Sequence, residues 1–378
     1  MKPLKVLILS RGFSQANGIA RVLLTFSRHC DCQRLQLHIA SFKPFAPEMA
    51  EVLVQPGTIM HELGDAGYFR PALALRKLIK NHAFDLAVAT ALKPYLLAKL
   101  VSGPTCGVLY WIHGIATLIE DRLKVIVYRY AARHDTLIFI SDHVKKAHSY
   151  AGHKGREVVI LNGVDDYLNS APLYDISQRE ALCIPREAFV VGYTAEFIAW
   201  KQHNTLLAAF SQLARDFPDM HLILIGSGEL WESTRARARE IPGFERIHFM
   251  GLRSDARQLL GLMDVYVQPS NGEGFGLALV EAMLARRAIV VSDAGALPEI
   301  IDDGSTGLIY RVLDVDDLVS KIAVLARDPE MRQRLGERAR QVALIRFGAR
   351  QFAERITAVL ESEPRVSTGP YHGLTPIK

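Results

Sequence analysis

Short apolar runs alternate from end to end with stretches whose apolar residues recur at helical spacing. In the first half, residues 5–10, 36–40, 85–90, 107–113, 136–141 and 157–162 read as strands, with helical patterns such as 71–82 and 118–133 between them. The pattern restarts at 189–194 and continues through 221–226, 247–251, 265–269, 288–293 and 308–311. These strands are continuous in Val, Ile and Leu rather than alternating with polar residues, the mark of sheets covered on both faces. The pattern predicts an α/β chain with mostly parallel sheets. Residues 166–187, with Pro172 and Pro185, carry weaker strand signals and read as a linker. Two Rossmann-like domains are therefore expected, 1–165 and 188–348, with a cleft between them. Helix 349–362 lies beyond the second domain's strands and is expected to pack back on the first. Residues 363–378, with Pro364, Gly369, Pro370 and Pro376, read as a flexible tail.

Length and composition sharpen this picture. A chain of 378 residues exceeds one ordinary core, and 49% apolar with 22% charged residues is typical of a soluble globular protein. No apolar run reaches the ~18 to 20 residues that span a bilayer. The opening Met1-Lys-Pro-Leu-Lys-Val-Leu-Ile-Leu-Ser10 reads as a first buried strand rather than a signal peptide, so a cytoplasmic protein is expected. Four cysteines give no disulfide framework, and no second cluster completes a metal site around His29-Cys-Asp-Cys32.

Net charge is +5, but residues 61–160 alone hold 14 Lys/Arg against 8 Asp/Glu. A solvated face explains such an excess, and so does attraction to anionic lipid headgroups or a phosphorylated acceptor. No basic run with interleaved aromatics points to nucleic acid.

The candidate chemistry lies in Pro269-Ser-Asn-Gly-Glu-Gly-Phe-Gly-Leu-Ala-Leu-Val-Glu-Ala-Met283. A strand precedes this segment, and a helix is expected over 277–286. The intervening loop carries Gly272, Gly274 and Gly276. Such a unit presents free backbone N–H groups and the positive helix end to an anion. Glu273 in the loop and Glu281 one turn into the helix add hydrogen-bond acceptors suited to hydroxyl-rich partners. An anion cradle beside hydroxyl acceptors describes a nucleotide-sugar site; a turn that serves chain geometry alone is the plain alternative. A dinucleotide fingerprint fits poorly, because Leu277 stands where its third glycine belongs.

With these residues in view, the chain resembles the retaining glycosyltransferases of family 4, which have the two-domain GT-B fold. Glu273 and Glu281 fit the E-x7-E element of that family in spacing and context. Asn162-Gly-Val-Asp165, Ile225-Gly-Ser-Gly228, Phe249-Met-Gly251, Ser292-Asp-Ala-Gly295, Pro298-Glu-Ile-Ile301 and Gly304-Ser-Thr-Gly-Leu308 follow in the family's order. The resemblance implies that Glu281 binds the donor ribose and Glu273 the donor sugar. It places the N–H groups of Gly274, Phe275, Gly276 and Leu277 near sugar and phosphate, and the backbone at Gly251 and Leu252 near the base. Lys201 matches the lysine that neutralises the diphosphate leaving group. Gly18 falls in the loop Ser14-Gln-Ala-Asn-Gly-Ile-Ala-Arg21 that faces the diphosphate, and His113 matches a histidine beside the donor sugar.

One departure stands out. Many relatives carry arginine where this chain has Glu196, within Ala195-Glu-Phe197, so one expected diphosphate cation is missing. Arg11, Arg21 and Arg253 are candidate substitutes. Ala285-Arg-Arg-Ala-Ile289 lacks a usual glycine and proline, which affects a turn. Asp314-Val-Asp316 spells the D-x-D that holds a metal in other glycosyltransferases, but here it reads as a helix start. The resemblance implies no metal and no cofactor beyond a nucleoside diphosphate sugar as co-substrate.

The expected activity is transfer of a hexose-type unit, with retention, to a hydroxyl of a glycan or lipid-linked acceptor in cell-surface polysaccharide or lipopolysaccharide synthesis. Peripheral membrane contact through the basic first domain goes with it, near Lys145 and Lys146. Two other classes stay open. One is a non-catalytic sugar-nucleotide sensor or scaffold, motivated by Glu196. The other is a GT-B sugar-nucleotide epimerase, whose sequence lacks the Glu273–Glu281 setting.

Overall fold

The computed structural model describes residues 2–13, 18–45, 58–65, 67–114 and 122–364. The chain divides into two compact units. The first comprises Met1–Ile140, Val144–Ile160 and Arg350–Lys378, the second Ser141–His143 and Leu161–Ala349.

The first unit is built on seven parallel strands: β1 (Leu4–Ser10), β2 (Leu35–Ser41), β3 (Ile59–Glu62), β4 (Leu86–Ala89), β5 (Gly107–Ile112), β6 (Leu137–Phe139) and β7 (Glu157–Val159). Their order is β3-β2-β1-β4-β5-β6-β7. β1 and β4 are buried almost throughout, as continuous apolar runs require. β3 was not expected from the sequence. Its Ile-Met-His-Glu sits at the sheet edge, half-buried or exposed, and so lacks an apolar run.

Helices α1 (Gly18–His29), α2 (Phe69–His82), α3 (Leu92–Val101), α4 (Arg122–Ala131) and α5 (Asp142–His148) join these strands. Residues 14–17 of the expected glycine-rich loop, 118–121 of the expected helix and 365–378 of the expected tail lie outside the described residues.

The second unit repeats the plan with β8 (Phe189–Thr194), β9 (Met220–Ile225), β10 (Ile247–Gly251), β11 (Val265–Gln268), β12 (Ala288–Ser292) and β13 (Leu308–Tyr310), in the order β10-β9-β8-β11-β12-β13. Its helices are α6 (His203–Asp216), α7 (Trp231–Ala238), α8 (Ala256–Leu259), α9 (Leu277–Leu284), α10 (Leu297–Ile300), α11 (Val315–Arg327) and α12 (Pro329–Arg346).

Residues 166–187, read above as a linker, belong to this unit. Arg179, 2% exposed, explains why. Its guanidinium donates to the carbonyls of Leu262 at 2.7 Å and Ala188 at 2.8 Å, and to Asp264 at 2.9 Å. A buried guanidinium is held by such a complete set of acceptors.

The last helix, α13 (Ala349–Ser362), packs on the first unit from Arg350 onward. The Phe352 ring lies 5.9 Å from Trp111 and 6.4 Å from Phe26. Arg34 clamps the helix through Glu354 at 2.8 Å and Glu361 at 2.5 Å.

Each unit also carries a histidine pair on its two outer strands. His38 Nδ1 lies 2.9 Å from His61 Nε2, and His221 Nδ1 lies 2.9 Å from His248 Nε2. In register, His61 faces Ala40 and His248 faces Ile223, each two residues beyond the partner histidine. The diagonal is the same in both sheets.

Among the described residues, no helix is long and apolar enough to cross a membrane.

Candidate active site

In the second sheet, the chain enters at β8, winds outward to β10, then returns to β11 on the other side of β8. Strand order therefore reverses between β8 and β11. Open α/β sheets bind ligands at such a switch point, beyond the carboxyl ends of the strands. The segment after β8 carries Lys201 and the segment after β11 carries Glu273.

Glu273 is 8% exposed and its Oε1 is crowded with donors. The Lys201 ammonium forms an ion pair with it. Gln268 Nε2 donates at 2.9 Å and Ser270 Oγ at 3.0 Å. Ser270 Oγ in turn lies 3.0 Å from the Tyr193 hydroxyl, which donates to the Lys201 carbonyl at 3.1 Å. Burial and the Glu273 charge keep the Tyr193 hydroxyl protonated, well above its ordinary range. Asn271 N–H donates to the Trp200 carbonyl at 2.9 Å, tying the two segments together by backbone as well.

The Lys201 segment is shaped by glycines. Gly226 and Gly228 have φ of +137° and +157°. A Cβ on Gly226 would stand 1.9 Å from the Ala195 carbonyl oxygen, and one on Gly228 2.6 Å from that of Phe197. Only glycine lets the β9 end lie this close to the segment. The approach is closed by Phe197 N–H to the Ser227 carbonyl at 2.9 Å and Leu230 N–H to the Phe197 carbonyl at 2.9 Å. Below the segment, the Phe197 ring stacks on His203 at 3.9 Å and meets Trp231 edge-on at 4.8 Å. Burial, with Lys201 nearby, lowers His203 to about 3.

Glu281, the second acid, is 4% exposed in α9. Arg257 Nε donates to its Oε1 at 2.7 Å. The Arg257 guanidinium also lies 5.1 Å over the Tyr167 ring, whose hydroxyl donates to the Glu281 carbonyl at 3.1 Å. Helix α9 begins at Leu277, after Gly276 at φ +109°. The N–H groups of Phe275, Gly276 and Leu277 find no partner among the described residues, as the opening turn of a helix leaves them. The Phe275 side chain itself is core, 3% exposed and edge-on to Phe347 at 5.7 Å.

The remaining candidates lie as follows. Gly251 ends β10 at φ +68°, its carbonyl accepting from Gly226 N–H at 2.8 Å, and Leu252 is 68% exposed. Glu196 is exposed in the Lys201 segment, and Gly274 is half-buried in the Glu273 loop. Gly18 opens α1 and His113 follows β5, both in the first unit. His113 keeps part of its surface, but its Nε2 is buried without a partner among the described residues, and burial lowers the ring to about 3. The Trp111 ring lies 4.9 Å from it.

Of the arginines weighed against Glu196, Arg11 is exposed, Arg21 is half-buried in α1, and Arg253 is held by Asp255 at 2.6 Å. The arginine that does sit against an acid of the motif is Arg257, which the sequence gave no reason to single out. No spacing links positions 257 and 281; only the folded contact between Arg257 of α8 and Glu281 of α9 does.

Asp314 caps α11, accepting from Asp317 N–H at 3.0 Å. No group of three or more His, Cys, Asp or Glu among the described residues has metal-binding geometry. Within 285–289, Arg286 takes a left-handed φ of 57°.

Comparison with known proteins agrees with this geometry. Residues 175–342 match the family described as Glycosyl transferases group 1. Over 299 residues the chain is 24% identical to EpsD of Bacillus subtilis (strain 168), covering 75% of this chain and 78% of that one. Over 179 residues it is 34% identical to the phosphatidyl-myo-inositol mannosyltransferase of Mycolicibacterium smegmatis, covering 46% of this chain and 44% of the relative. The crystal structure of Anabaena Alr3699/HepE in complex with UDP and glucose superposes with a TM-score of 0.82 at 22% identity, covering 95% of this chain and all of that one. The fold is thus GT-B, two parallel-sheet Rossmann-like domains, and with a glycosyl transferases group 1 domain over 175–342 the chain is that of a glycosyltransferase.

Proposed function

We propose that this glycosyltransferase moves a hexose-type unit from a nucleoside diphosphate sugar to a hydroxyl of a glycan or lipid-linked acceptor, with retention of configuration. The observation that carries the reading is the cluster at the β8/β11 switch point, where Lys201, Glu273 and the open N–H groups of 275–277 gather within one unit. A diphosphate there draws on the Lys201 ammonium and the start of α9. Glu273 and Glu281 offer acceptors to sugar and ribose hydroxyls.

Hydrolytic retaining enzymes set two carboxylates about the scissile bond. Here each acid is already engaged by a cation, which suits holding a donor more than attacking it. The bond from the anomeric carbon to the leaving phosphate breaks as the acceptor oxygen approaches the same face. The leaving phosphate takes the acceptor proton, and Lys201 stabilises the charge that remains on it. No metal enters this scheme.

A lipid-linked acceptor, of the kind used in cell-surface polysaccharide or lipopolysaccharide synthesis, agrees with the named substrate of the mannosyltransferase relative. The test is a melting-temperature panel of nucleoside diphosphates and their sugars with chelator present. A selective upward shift that Glu281→Ala abolishes supports the site and names the base. No shift with any of them would overturn the donor-site reading.

A further inference from the structure

The first unit has a surface that its fold does not use. Helices α2, α3 and α4 pack side by side, with α3 touching both neighbours. They carry four Lys/Arg in α2, two in α3 and three in α4, with no Asp or Glu in any of the three. Helix α2 is amphipathic: Pro71, Leu75 and Ile79 face the core. Its outer stripe runs Phe69, Leu73, Arg76, Lys77 and Lys80, spaced as one helical face.

That stripe is not merely polar. Phe69 is 75% exposed and Leu73 51%, with Tyr68 at 66% just before the helix. Leu100 at the end of α3 is 76% exposed, and Ile126 and Tyr130 of α4 are 64% and 84% exposed. These side chains cluster on neighbouring helices rather than standing singly.

Two acids offset the two lysines of α3 and leave the cations of α2 uncompensated. Asp65 is held by Lys93 at 2.8 Å and Asp135 by Lys99 at 2.8 Å. Among the described residues, Arg70, Arg76, Lys77 and Lys80 form no ion pair. Glu120 and Asp121, just before α4, lie outside the described residues.

Basic residues interleaved with exposed aromatic and aliphatic ones on a helix face match the headgroup boundary of an anionic bilayer. The cations meet lipid phosphate and the apolar tips enter the acyl edge. We propose that the α2–α4 face docks the enzyme on an anionic lipid surface. This moves the membrane contact expected near Lys145 and Lys146 of α5 to a different place. Lys145 is paired with Glu157 at 3.5 Å, and no large apolar side chain of α5 is exposed. The inference deepens the lipid-linked acceptor reading, but its measurement needs neither donor nor acceptor.

The experiment is co-sedimentation of the full chain with phosphatidylcholine vesicles containing about a third phosphatidylglycerol, compared with phosphatidylcholine alone. Binding is expected only to the anionic vesicles, and it should weaken as salt rises. Arg76→Glu with Lys77→Glu should lower affinity by at least about twenty-fold, at some five-fold for each basic residue lost. Phe69→Ser with Leu73→Ser should lower it at unchanged net charge.

Equal binding to neutral vesicles overturns the proposal, as does unchanged binding of the charge-reversed variant. Loss on Lys145→Glu with Lys146→Glu alone would place the contact on α5 instead. Binding to soluble polyphosphate without binding to vesicles would assign the face to a soluble polyanion. The substituted positions of α2 are exposed and Lys145 is half-buried, so an unaltered melting temperature and nucleotide shift certify each variant. A wild-type chain that binds vesicles but no nucleotide would support this face and count against the donor reading.

Discussion

Arg257 reaches Glu281 with its Nε at 2.7 Å, so both acids of the motif, eight residues apart, are held by a basic side chain from another element. Glu281 is almost wholly buried while Arg257 keeps about a third of its side chain exposed. Removing the guanidinium weakens the setting of a buried carboxylate. Arg257→Ala is expected to lower stability by roughly 1–2 kcal/mol and to weaken nucleotide affinity about ten-fold. Denaturant melts and nucleotide titration check both; unchanged affinity would show that the pair is structural only.

Lys201 and Glu273 are expected to part company in kinetics. On the proposed mechanism Lys201→Ala removes the charge that offsets the leaving phosphate, so kcat should fall by on the order of 10²–10³ with the sugar-independent part of donor binding less affected. Glu273→Gln keeps the size of the side chain but loses the ion pair, and should raise KM for the donor sugar while leaving affinity for the bare nucleoside diphosphate. Steady-state kinetics beside calorimetry separates the two outcomes.

Gly226 tests how rigidly the Lys201 segment is held. Alanine there combines a strained φ with a contact of 1.9 Å against the Ala195 carbonyl, so the segment must move. A loss of about 3 kcal/mol in stability is expected. If the folded variant keeps full transfer activity, the segment's position does not matter to the chemistry.

Acid should destabilise the protein before its carboxylates titrate. Burial holds His38 at about 4 and His203 at about 3. In the unfolded chain both titrate near the ordinary ~6.5. Below that pH the unfolded state binds protons that the folded state does not, so stability is intact above ~6.5 and falls as pH drops toward the folded values. Each contributes roughly 2 kcal/mol of loss between pH 6.5 and 5. His203→Phe keeps the stack on Phe197 and should flatten the fall in melting temperature. An unchanged slope would mean that the ring is protonated in the folded protein.

Asp314→Ala separates helix capping from metal binding. The loss of the bond to Asp317 N–H should cost about 1 kcal/mol with glycosyl transfer unaffected. A collapse of activity rescued by divalent cation would reverse that assignment.

Much of this architecture is legible in the residues. Strands such as 5–10 and 288–292 are nearly continuous apolar runs, and their alternation with helices predicts the parallel α/β architecture, while the GT-B class comes from the resemblance carried by the ordered motifs. What escapes is settled by neighbours. β3 lies at an edge and has no buried run to announce it. Arg179 looks like one more charged residue in a linker until the carbonyls around it are seen. Lys201 and Glu273 each follow a strand, but only the parallel pairing of β8 with β11 makes them partners. Arg257 is invisible for the same reason.

Val164 N–H donates to the Phe347 carbonyl at 2.8 Å, so the chain's entry to the second unit and its exit toward α13 run side by side. Apart from Ser141–His143, that unit is one continuous stretch of sequence, whereas the first needs α13 returned to it. The protein is in effect an insertion: two neighbouring cuts, near 161 and 349, release the second unit as a cassette. Exchange between related enzymes can therefore replace the second unit in a single segment, while truncating the chain after residue 160 strips the Phe352 cover from Phe26 and Trp111.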